Sequence, residues 1–270
     1  MTRRRHIVLG IAFAATAALT LSGCAGGSGD AGGDDASSGT ELELVNAGTL
    51  TVCSEVPYPP FEMEDGNGGY TGFDLDLVAA IAAELDLEVD IQDVGFDGLQ
   101  SGTTLIAGTC DFGASAMTIT EERKANLDFA DPYYDSLQSL LVRADSGIES
   151  IDDLAGKNVA VQQGTTGESY ATENATDAVL VQYPGDAEMW PALQAGQVDA
   201  ILQDLPVNVE HEKADGDYTI VEEYETDEQY GFAFAKDERP NLRAAVNEAL
   251  QSLRDSGEYD TIYDKYFSAK

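Results

Sequence analysis

Residues 50–54 read Leu-Thr-Val-Cys-Ser, and residues 74–85 read Asp-Leu-Asp-Leu-Val-Ala-Ala-Ile-Ala-Ala-Glu-Leu. The first stretch is a short apolar run that predicts a buried strand, and the second repeats its large apolar residues at helical spacing. Residues 88–94 then alternate apolar and polar side chains, which predicts a second strand. Strands that alternate with helices indicate a parallel sheet with right-handed crossovers.

The same order continues along the chain. In the first half we predict a helix over 97–107, a strand over 110–116 and a helix from Glu121. In the second half the pattern recurs, with strands predicted over 157–162, 179–182 and 198–203, and helices over 168–174 and 186–195. Two such units predict two lobes.

The segments between the units predict how the lobes connect. Residues 133–142 are long enough to cross from the first lobe to the second, and residues 228–235 can cross back. Terminal helices over 240–255 and 258–267 would then pack on the first lobe. We therefore predict an α/β fold with two lobes, each a parallel-dominated sheet flanked by helices. Small ligands bind at the carboxyl ends of parallel strands, and in this arrangement those ends face the cleft between the lobes.

The predicted boundaries follow from these elements. Lobe 1 is discontinuous, with residues 49–135 plus 232–268, and lobe 2 comprises residues 136–231 with the crossovers at its ends. The first 23 residues carry three arginines followed by an apolar run, an order that is typical of an export signal. The apolar run is shorter than the roughly 20 residues of a membrane-spanning helix. Residues 24–48 begin with a stretch of Gly, Ser, Asp and Ala that indicates a flexible tether.

The composition excludes some classes of function. The chain has 50 acidic and 14 basic residues, and removal of the signal leaves 11 basic residues and a net charge of −39. Such a surface repels nucleic acid. No metal-ligand spacing or catalytic Ser-His-Asp or Cys-His set is apparent, and His211 stands alone among charged residues. We therefore expect no cofactor, no metal and no enzymatic activity.

Cys53 and Cys110 would lie in an exported compartment, where disulfides persist. Cys53 falls near the end of its predicted strand, whereas Cys110 opens the strand over 110–116. At about 3.3 Å per residue this offset exceeds the roughly 7 Å limit for bridging. The spacing weighs against a disulfide without excluding it.

Several motifs occur in order along residues 49–268. They include Pro-Tyr-Pro-Pro-Phe-Glu at 57–62, Gly-Phe-Asp-Leu-Asp-Leu at 72–77, Phe-Asp-Gly-Leu at 96–99, Met-Thr-Ile-Thr-Glu-Glu-Arg at 117–123, Phe-Ala-Asp-Pro-Tyr at 129–133, Gln-Gly-Thr-Thr at 163–166 and Val-Asp-Ala at 198–200. Together they resemble the extracellular solute-binding proteins of polar amino-acid ABC importers. The resemblance implies a type II periplasmic-binding-protein fold, a free amino acid as ligand, an ABC permease as partner and a monomeric state. Residues 100–104, Gln-Ser-Gly-Thr-Thr, depart from the family pattern, so the placement of this segment is open.

The resemblance also extends to the N-terminus. Leu-Ser-Gly-Cys at residues 21–24 resembles the lipobox of bacterial lipoproteins. It implies that Cys24 carries a lipid that anchors an exported, extracytoplasmic protein to the membrane. A signal that is cleaved elsewhere, with Cys24 an ordinary thiol, is the alternative.

A zwitterion needs one opposite charge for each of its ends, because an unpaired buried charge costs several kcal/mol. By resemblance, Arg123 takes the ligand carboxylate, for which its planar fork is suited. The Gly164-Thr165-Thr166 loop follows a strand and opens a helix, so its N–H groups favour the same anion. Asp204 ends the strand over 198–203 and would accept the ligand ammonium. Each could instead have a local role, as a surface arginine, a turn or a helix cap.

The other expected contacts concern orientation and specificity. By resemblance, Thr118 contributes a hydroxyl and Ala116 a backbone carbonyl, while Tyr58 and Phe96 enclose the ligand side chain or serve as core. Rings can hold a cation with about 0.5–2 kcal/mol of cation–π attraction.

Glu55 lies where relatives that bind basic amino acids carry an acid, and Ser115 could assist it. This favours arginine, lysine, ornithine or histidine, with Glu55 as a solvated strand-end acid the alternative. Glutamine and other neutral or acidic amino acids are alternative ligands. A dehydratase of the cyclohexadienyl or arogenate type and an extracellular sensor lipoprotein are the rival classes, because fold alone does not decide function.

Overall fold

The structure is a computed structural model that describes residues 41–268. The proposed signal peptide, the lipid site at Cys24 and most of the predicted tether lie outside the described residues. No helix within 41–268 is long and apolar enough to cross a membrane.

Twelve strands are assigned among the described residues. They are β1 (Thr49–Ser54), β2 (Met63–Glu64), β3 (Tyr70–Thr71), β4 (Glu88–Asp93), β5 (Phe112–Gly113), β6 (Leu127–Phe129), β7 (Tyr134–Arg143), β8 (Asn158–Gln162), β9 (Val179–Tyr183), β10 (Ala200–Asp204), β11 (Tyr218–Tyr230) and β12 (Ala233–Ala235).

The same part of the chain forms eight α-helices. They are α1 (Phe73–Glu84), α2 (Phe96–Gln100), α3 (Thr103–Ile106), α4 (Thr166–Asn174), α5 (Asp186–Gln194), α6 (Leu205–Ala214), α7 (Pro240–Ser256) and α8 (Glu258–Phe267).

Two five-stranded sheets, one in each lobe, form the framework of the fold. The first has the order β4-β1-β5-β12-β6 and the second the order β11-β7-β10-β8-β9. In the first sheet, β1 pairs in parallel with β4 and β5, whereas β12 is antiparallel to β5 and β6. In the second, β8 is parallel to β9 and β10, whereas β7 is antiparallel to β10 and β11.

The sheets are therefore mixed, and the prediction of parallel-dominated sheets needs correction. The antiparallel strands come mainly from segments that pass between the lobes, because a chain that crosses over and returns joins a sheet in the opposite direction. The residues predicted as crossovers form β7 and the end of β11 with β12. The lobe boundaries given above stay a prediction.

The C-terminal helices complete the first lobe although they are distant in sequence. Leu242, Val246 and Leu250 repeat along one face of α7 and are fully buried. They join the cluster that contains Phe73 and Leu77 of α1. Gly257 ends α7 in a left-handed conformation, φ 82°, and α8 starts directly after it.

The elements near residues 97–125 differ most from the sequence prediction. The helix predicted over 97–107 is split into α2 and α3, because Gly102 adopts φ 81° between them. The strand predicted over 110–116 shortens to β5, and the helix predicted from Glu121 is only a 3-10 turn over Arg123–Ala125. Short connections around the site leave little room for regular structure.

The expectation against a disulfide was wrong, since Cys53 and Cys110 are bonded and their Cα atoms lie 5.7 Å apart. Cys110 does not open a strand. Cys53 lies opposite Gly113 in the β1–β5 pair, and the chain bends at Asp111, whose N–H donates to the Thr51 carbonyl. The offset along a straight strand therefore did not apply.

Candidate functional site

A cavity lies between the lobes, where the carboxyl ends of parallel strands from both sheets converge. Its walls are formed by residues from both lobes: Glu55, Tyr58, Phe96, Ser115, Ala116, Thr118, Arg123, Gln162, Thr165, Thr166 and Asp204. Ten of the eleven residues predicted for the site are in this set. Gly164 is not, although its carbonyl contacts Arg123, and Gln162 was not predicted.

Arg123 connects the two lobes at the centre of this wall. It belongs to the 3-10 turn and is 6% exposed. One guanidinium nitrogen donates to the carbonyl of Thr118 at 2.8 Å and the other to that of Gly164 at 3.0 Å. The guanidinium carbon lies 5.3 Å from the centre of the Phe96 ring. Among residues 41–268, the ion pairs do not include Arg123.

The positive charge of Arg123 is therefore balanced by carboxylates at a distance and not by a direct ion pair. Burial lowers the pKa of the Arg123 guanidinium, while the carboxylates of Asp204 and Glu228 oppose that shift. A buried guanidinium without a direct anionic partner favours an incoming carboxylate.

The loop before α4 uses part of its hydrogen-bonding capacity internally. Gly164 has φ 78°, and its N–H donates to the Glu168 carboxylate at 2.7 Å, so this N–H is not directed at an outside anion. The Thr165 hydroxyl caps the helix by accepting from the Glu168 N–H at 3.1 Å. At the first residue of α4, the Thr166 hydroxyl donates to Glu228 at 2.9 Å. The Glu168 N–H is therefore already paired, and the N–H groups of Thr166 and Gly167 are the first-turn donors that have no partner within the helix.

Asp204 ends β10 and is buried at the base of the cavity. Its Oδ2 accepts hydrogen bonds from the hydroxyls of Tyr58 at 2.8 Å and Tyr230 at 2.5 Å, and its Oδ1 accepts from the Gln138 amide at 2.5 Å. Although Asp204 occupies the cap position of α6, its side chain does not cap the helix. Burial, with the nearby Glu228 carboxylate, raises the pKa of Asp204 to about 6.

Glu55 follows β1 and reaches across the cleft to the other lobe. Its carboxylate accepts from the Gln162 amide at 2.6 Å and from the Phe96 N–H at 3.4 Å. Burial raises the pKa of Glu55 to about 7. The Ser115 hydroxyl accepts from the backbone N–H of Glu55 at 3.2 Å, so Ser115 positions the backbone of Glu55 and does not contact its carboxylate.

The backbone at Ala116 is held by a buried carboxyl group. Ala116 adopts φ 43°, and its N–H donates to Asp74 at 2.9 Å. The Tyr133 hydroxyl donates to the same oxygen at 2.5 Å. Burial raises the pKa of Asp74 to about 6, and burial together with Asp74 raises the pKa of Glu62 well above its usual value. The first acid of the 72–77 motif therefore has a structural role beside the cavity.

Three polar residues were missed by the sequence analysis: Gln138, Gln162 and Glu228. Gln162 ends β8, so the same strand-end argument that selected Asp204 could have found it. Gln138 and Glu228 lie on β7 and β11, and no motif marks them. Glu228 is 7% exposed and accepts hydrogen bonds from Thr118 and Thr166.

The electrostatic balance of the cavity is anionic. The cavity lining has one guanidinium, Arg123, and two carboxyl groups, Glu55 and Asp204, and Glu228 lies next to Asp204 outside the lining. Within the described range, no group of three or more His, Cys, Asp or Glu side chains is arranged to hold a metal ion. This arrangement can bind a molecule with one carboxylate and more than one positive charge.

Comparisons with known proteins agree with the geometry. A family model for bacterial extracellular solute-binding proteins, family 3, matches residues 50–269. An ABC transporter glutamine-binding protein of Bacillus subtilis is 34% identical over 204 residues, which are 74% of this chain and 74% of that protein. The L-arginine-binding protein of Pseudomonas aeruginosa is 33% identical over 226 residues, 79% of this chain and 86% of that protein.

Solved structures give the same result. An ancestral arginine-binding protein bound to arginine shares 38% sequence identity and a TM-score of 0.76, covering 82% of this chain and 99% of its own. All three of these relatives are amino-acid-binding proteins, and two of them are arginine-binding proteins. The chain therefore belongs to the bacterial extracellular solute-binding proteins, family 3.

Proposed function

We propose that this protein is the substrate-binding component of an ABC importer for cationic amino acids such as arginine, lysine, ornithine or histidine. The observation that carries the proposal is the charge of the cavity lining, in which two carboxyl groups, Glu55 and Asp204, accompany one guanidinium, Arg123. Arginine, lysine and ornithine have one carboxylate and two positive groups at neutral pH, and histidine has the same set when its imidazole is protonated. Their charges complement that set better than those of a neutral or acidic amino acid.

Each ligand group has a partner in this proposal. Arg123 receives the carboxylate, Asp204 the α-ammonium and Glu55 the distal cation. Phe96 and Tyr58 line the cavity near these groups and would contact the ligand side chain. The Thr118 hydroxyl and the Ala116 backbone carbonyl would provide further hydrogen bonds to the ligand.

Capture requires movement of the lobes. The cavity has a volume of about 20 Å³, which is room for only one or two water molecules. Contacts across the cleft, such as Glu55 with Gln162 and Arg123 with Gly164, hold it shut. A ligand therefore enters an open form and shifts the equilibrium by its preference for the closed one.

A thermal-shift screen tests the proposal most directly. The purified mature protein is unfolded and refolded to remove ligand, then heated with each of the twenty amino acids, ornithine or citrulline. A ligand at about 100 times its Kd stabilises the fold by about 2.7 kcal/mol. We expect the largest shifts with the cationic members. A larger shift with glutamine or glutamate would replace the cationic assignment by the alternative one, and no shift with any of them would refute amino-acid binding.

Arg123→Ala should abolish amino-acid binding. The substitution removes the one guanidinium of the cavity and leaves the ligand carboxylate unpaired, a loss of at least about 3 kcal/mol. Isothermal titration calorimetry measures the loss, with Arg143→Ala, at an exposed ion pair in the second lobe, as the matched control. Retained affinity in Arg123→Ala would contradict the assigned role.

The rival classes are separated by other measurements. Incubation with prephenate or arogenate tests the dehydratase alternative, which requires product formation. Transport in membranes that contain the neighbouring permease and ATPase tests the sensor alternative. If the protein belongs to an importer, ligand uptake should depend on its presence. Prephenate incubated with the protein should stay unchanged.

The proposed location is the outer face of the membrane, with a lipid on Cys24 as the anchor. The support is the signal-like order of residues 1–24 and the extracellular character of the family. Cys24→Ser should move the protein from the membrane fraction to the soluble exported fraction. An unchanged distribution would exclude the anchor. We further propose that the protein acts as a monomer.

A further inference from the structure

Glu228 lies at an irregular point of β11, close to the passage between the lobes. The pairing of β11 with β7 shifts between Tyr224 and Glu228, where three residues of β11 are accommodated opposite one residue of β7. Asp227 takes φ 52° in this bulge. The Glu228 side chain points inward and is 7% exposed, on the same side of the strand as buried Tyr224 and Tyr230, whereas Glu225 is exposed.

A single oxygen of Glu228 contacts residues that precede and follow the first crossover. Its Oε2 accepts from the hydroxyl of Thr118, which lies beyond β5 of the first sheet, at 2.9 Å. The same atom accepts from the hydroxyl of Thr166, which opens α4 beside the second sheet, also at 2.9 Å. Separation of the lobes would break at least one of these bonds, so both are complete only in the closed arrangement.

Glu228 is also coupled to Asp204. The amide nitrogen of Gln138 donates to Asp204 Oδ1 at 2.5 Å and lies 3.2 Å from both carboxylate oxygens of Glu228. Two buried carboxyl groups thus share one neutral donor. Two like charges in a buried site repel each other, so the pair favours a cation beside it.

We propose that Glu228 is a positioning residue of the binding site: it pairs with Asp204 to attract the ligand α-ammonium and links Thr118 to Thr166 when the lobes close. The inference rests on the proposed function and deepens it, since it adds a residue that the family motifs do not mark. Glu228 acts through Asp204 and the two hydroxyls, and it does not need to touch the ligand.

The pair has a pH signature. The groups that face it are the phenols of Tyr58, Tyr134 and Tyr230 and the guanidinium of Arg123. Burial and Glu228 raise the pKa of Asp204 to about 6. An ammonium favours the ionised form, so binding lowers this pKa and expels a proton at acidic pH. The Kd should therefore rise as the pH falls through about 6.

Glu228→Gln is the decisive variant. It removes the neighbouring charge that raises the pKa of Asp204, so the pH at which affinity falls should move to a lower value. At pH 8 the affinity should fall about tenfold or more, because charge-assisted hydrogen bonds to two hydroxyls are weakened. Calorimetry from pH 5 to pH 8 measures both effects, with arginine as the probe or, if arginine does not bind, the amino acid of largest thermal shift. Glu225→Gln, in the same bulge, is the matched control and should behave as the wild type.

The outcomes separate the two proposals. A wild type that binds no amino acid refutes the proposed function. A wild type that binds, with an unchanged pH profile in Glu228→Gln, overturns the role of Glu228 alone. A purely structural role would lower the thermal stability without moving the pH profile.

If Glu228→Gln does not fold, the Glu228→Asp variant tests the role of Glu228 instead. It keeps the charge but shortens the reach, so the pH profile should stay near that of the wild type while the affinity falls. Wild-type affinity in Glu228→Asp would overturn the proposed link between the two threonines.

Discussion

At the scale of single residues, the properties of the site arise from burial. Glu55 and Asp204 are ordinary acids in sequence, yet burial raises the pKa of the first to about 7 and that of the second to about 6. Both values lie near neutral pH, where a bound cation decides whether the group is ionised. The charge of the cavity therefore responds to its ligand.

Glu55→Gln should weaken cationic ligands selectively. Loss of a charged hydrogen bond costs about 1.5–3 kcal/mol for a ligand with a distal cation and little for a neutral amino acid. In the wild type the ionised form binds the cation, so affinity for cationic ligands should fall as the pH drops through about 7, and this component should disappear in the variant. Competition calorimetry with arginine and citrulline measures the difference. An equal loss for both ligands would refute the role of Glu55.

At the scale of elements, the start of α1 depends on one close approach. Gly72 precedes the helix with φ 137°, and a Cβ atom there would overlap the carbonyl of Phe61. The N–H groups of Phe73 and Asp74 donate to the carbonyls of Pro60 and Phe61. This contact fixes the helix that carries Asp74, which in turn holds Ala116 beside the cavity.

Gly72→Ala should destabilise the fold by about 3 kcal/mol or more, because it combines a disfavoured φ with overlap of the main chain. Gly48→Ala is the matched control. It has a positive φ of 80° but open space around its Cβ position, and should cost only about 1–2 kcal/mol. Urea unfolding followed by the fluorescence of Trp190, the single tryptophan, gives both values. Equal costs would show that the contact with Phe61 is unimportant.

At the scale of the whole molecule, acidic charge dominates. The 50 acidic residues far exceed the basic ones, so the folded protein repels itself, and salt screens this repulsion. The same charge raises the local concentration of cationic ligands around the cleft. Ligand binding and stability should therefore respond to salt in opposite directions.

Thermal unfolding in increasing sodium chloride, from 0.05 to about 1 M, where the Debye length falls to about 3 Å, should show a rising Tm. A gain of 1 kcal/mol corresponds to about 2–4 °C for a chain of this size. Sucrose at matched osmolality is the control, since it strengthens burial without screening charge. A Tm that falls or stays constant in the salt series would contradict the argument.

The alternation of the main strands and helices was determined by the sequence itself, because hydrophobic periodicity is local, whereas β2, β3, β6 and α6 were not predicted. Ten of the predicted site residues line one cavity for a related reason: parallel strands bring their carboxyl ends to one edge. The motifs that resemble the solute-binding family led to the same residues.

Other features were decided only by the tertiary structure. Pairing of Cys53 with Cys110 depends on a bend at Asp111 before β5, and the contacts of Glu228 with Thr118 and Thr166 depend on how the two lobes meet. His211, which stood alone among charges in the sequence, is buried against Trp190 and bonded to Asp186. Each of these contacts joins residues that are distant along the chain or follows from a local irregularity. Periodicity carries no information about either, so only the packed fold determines them.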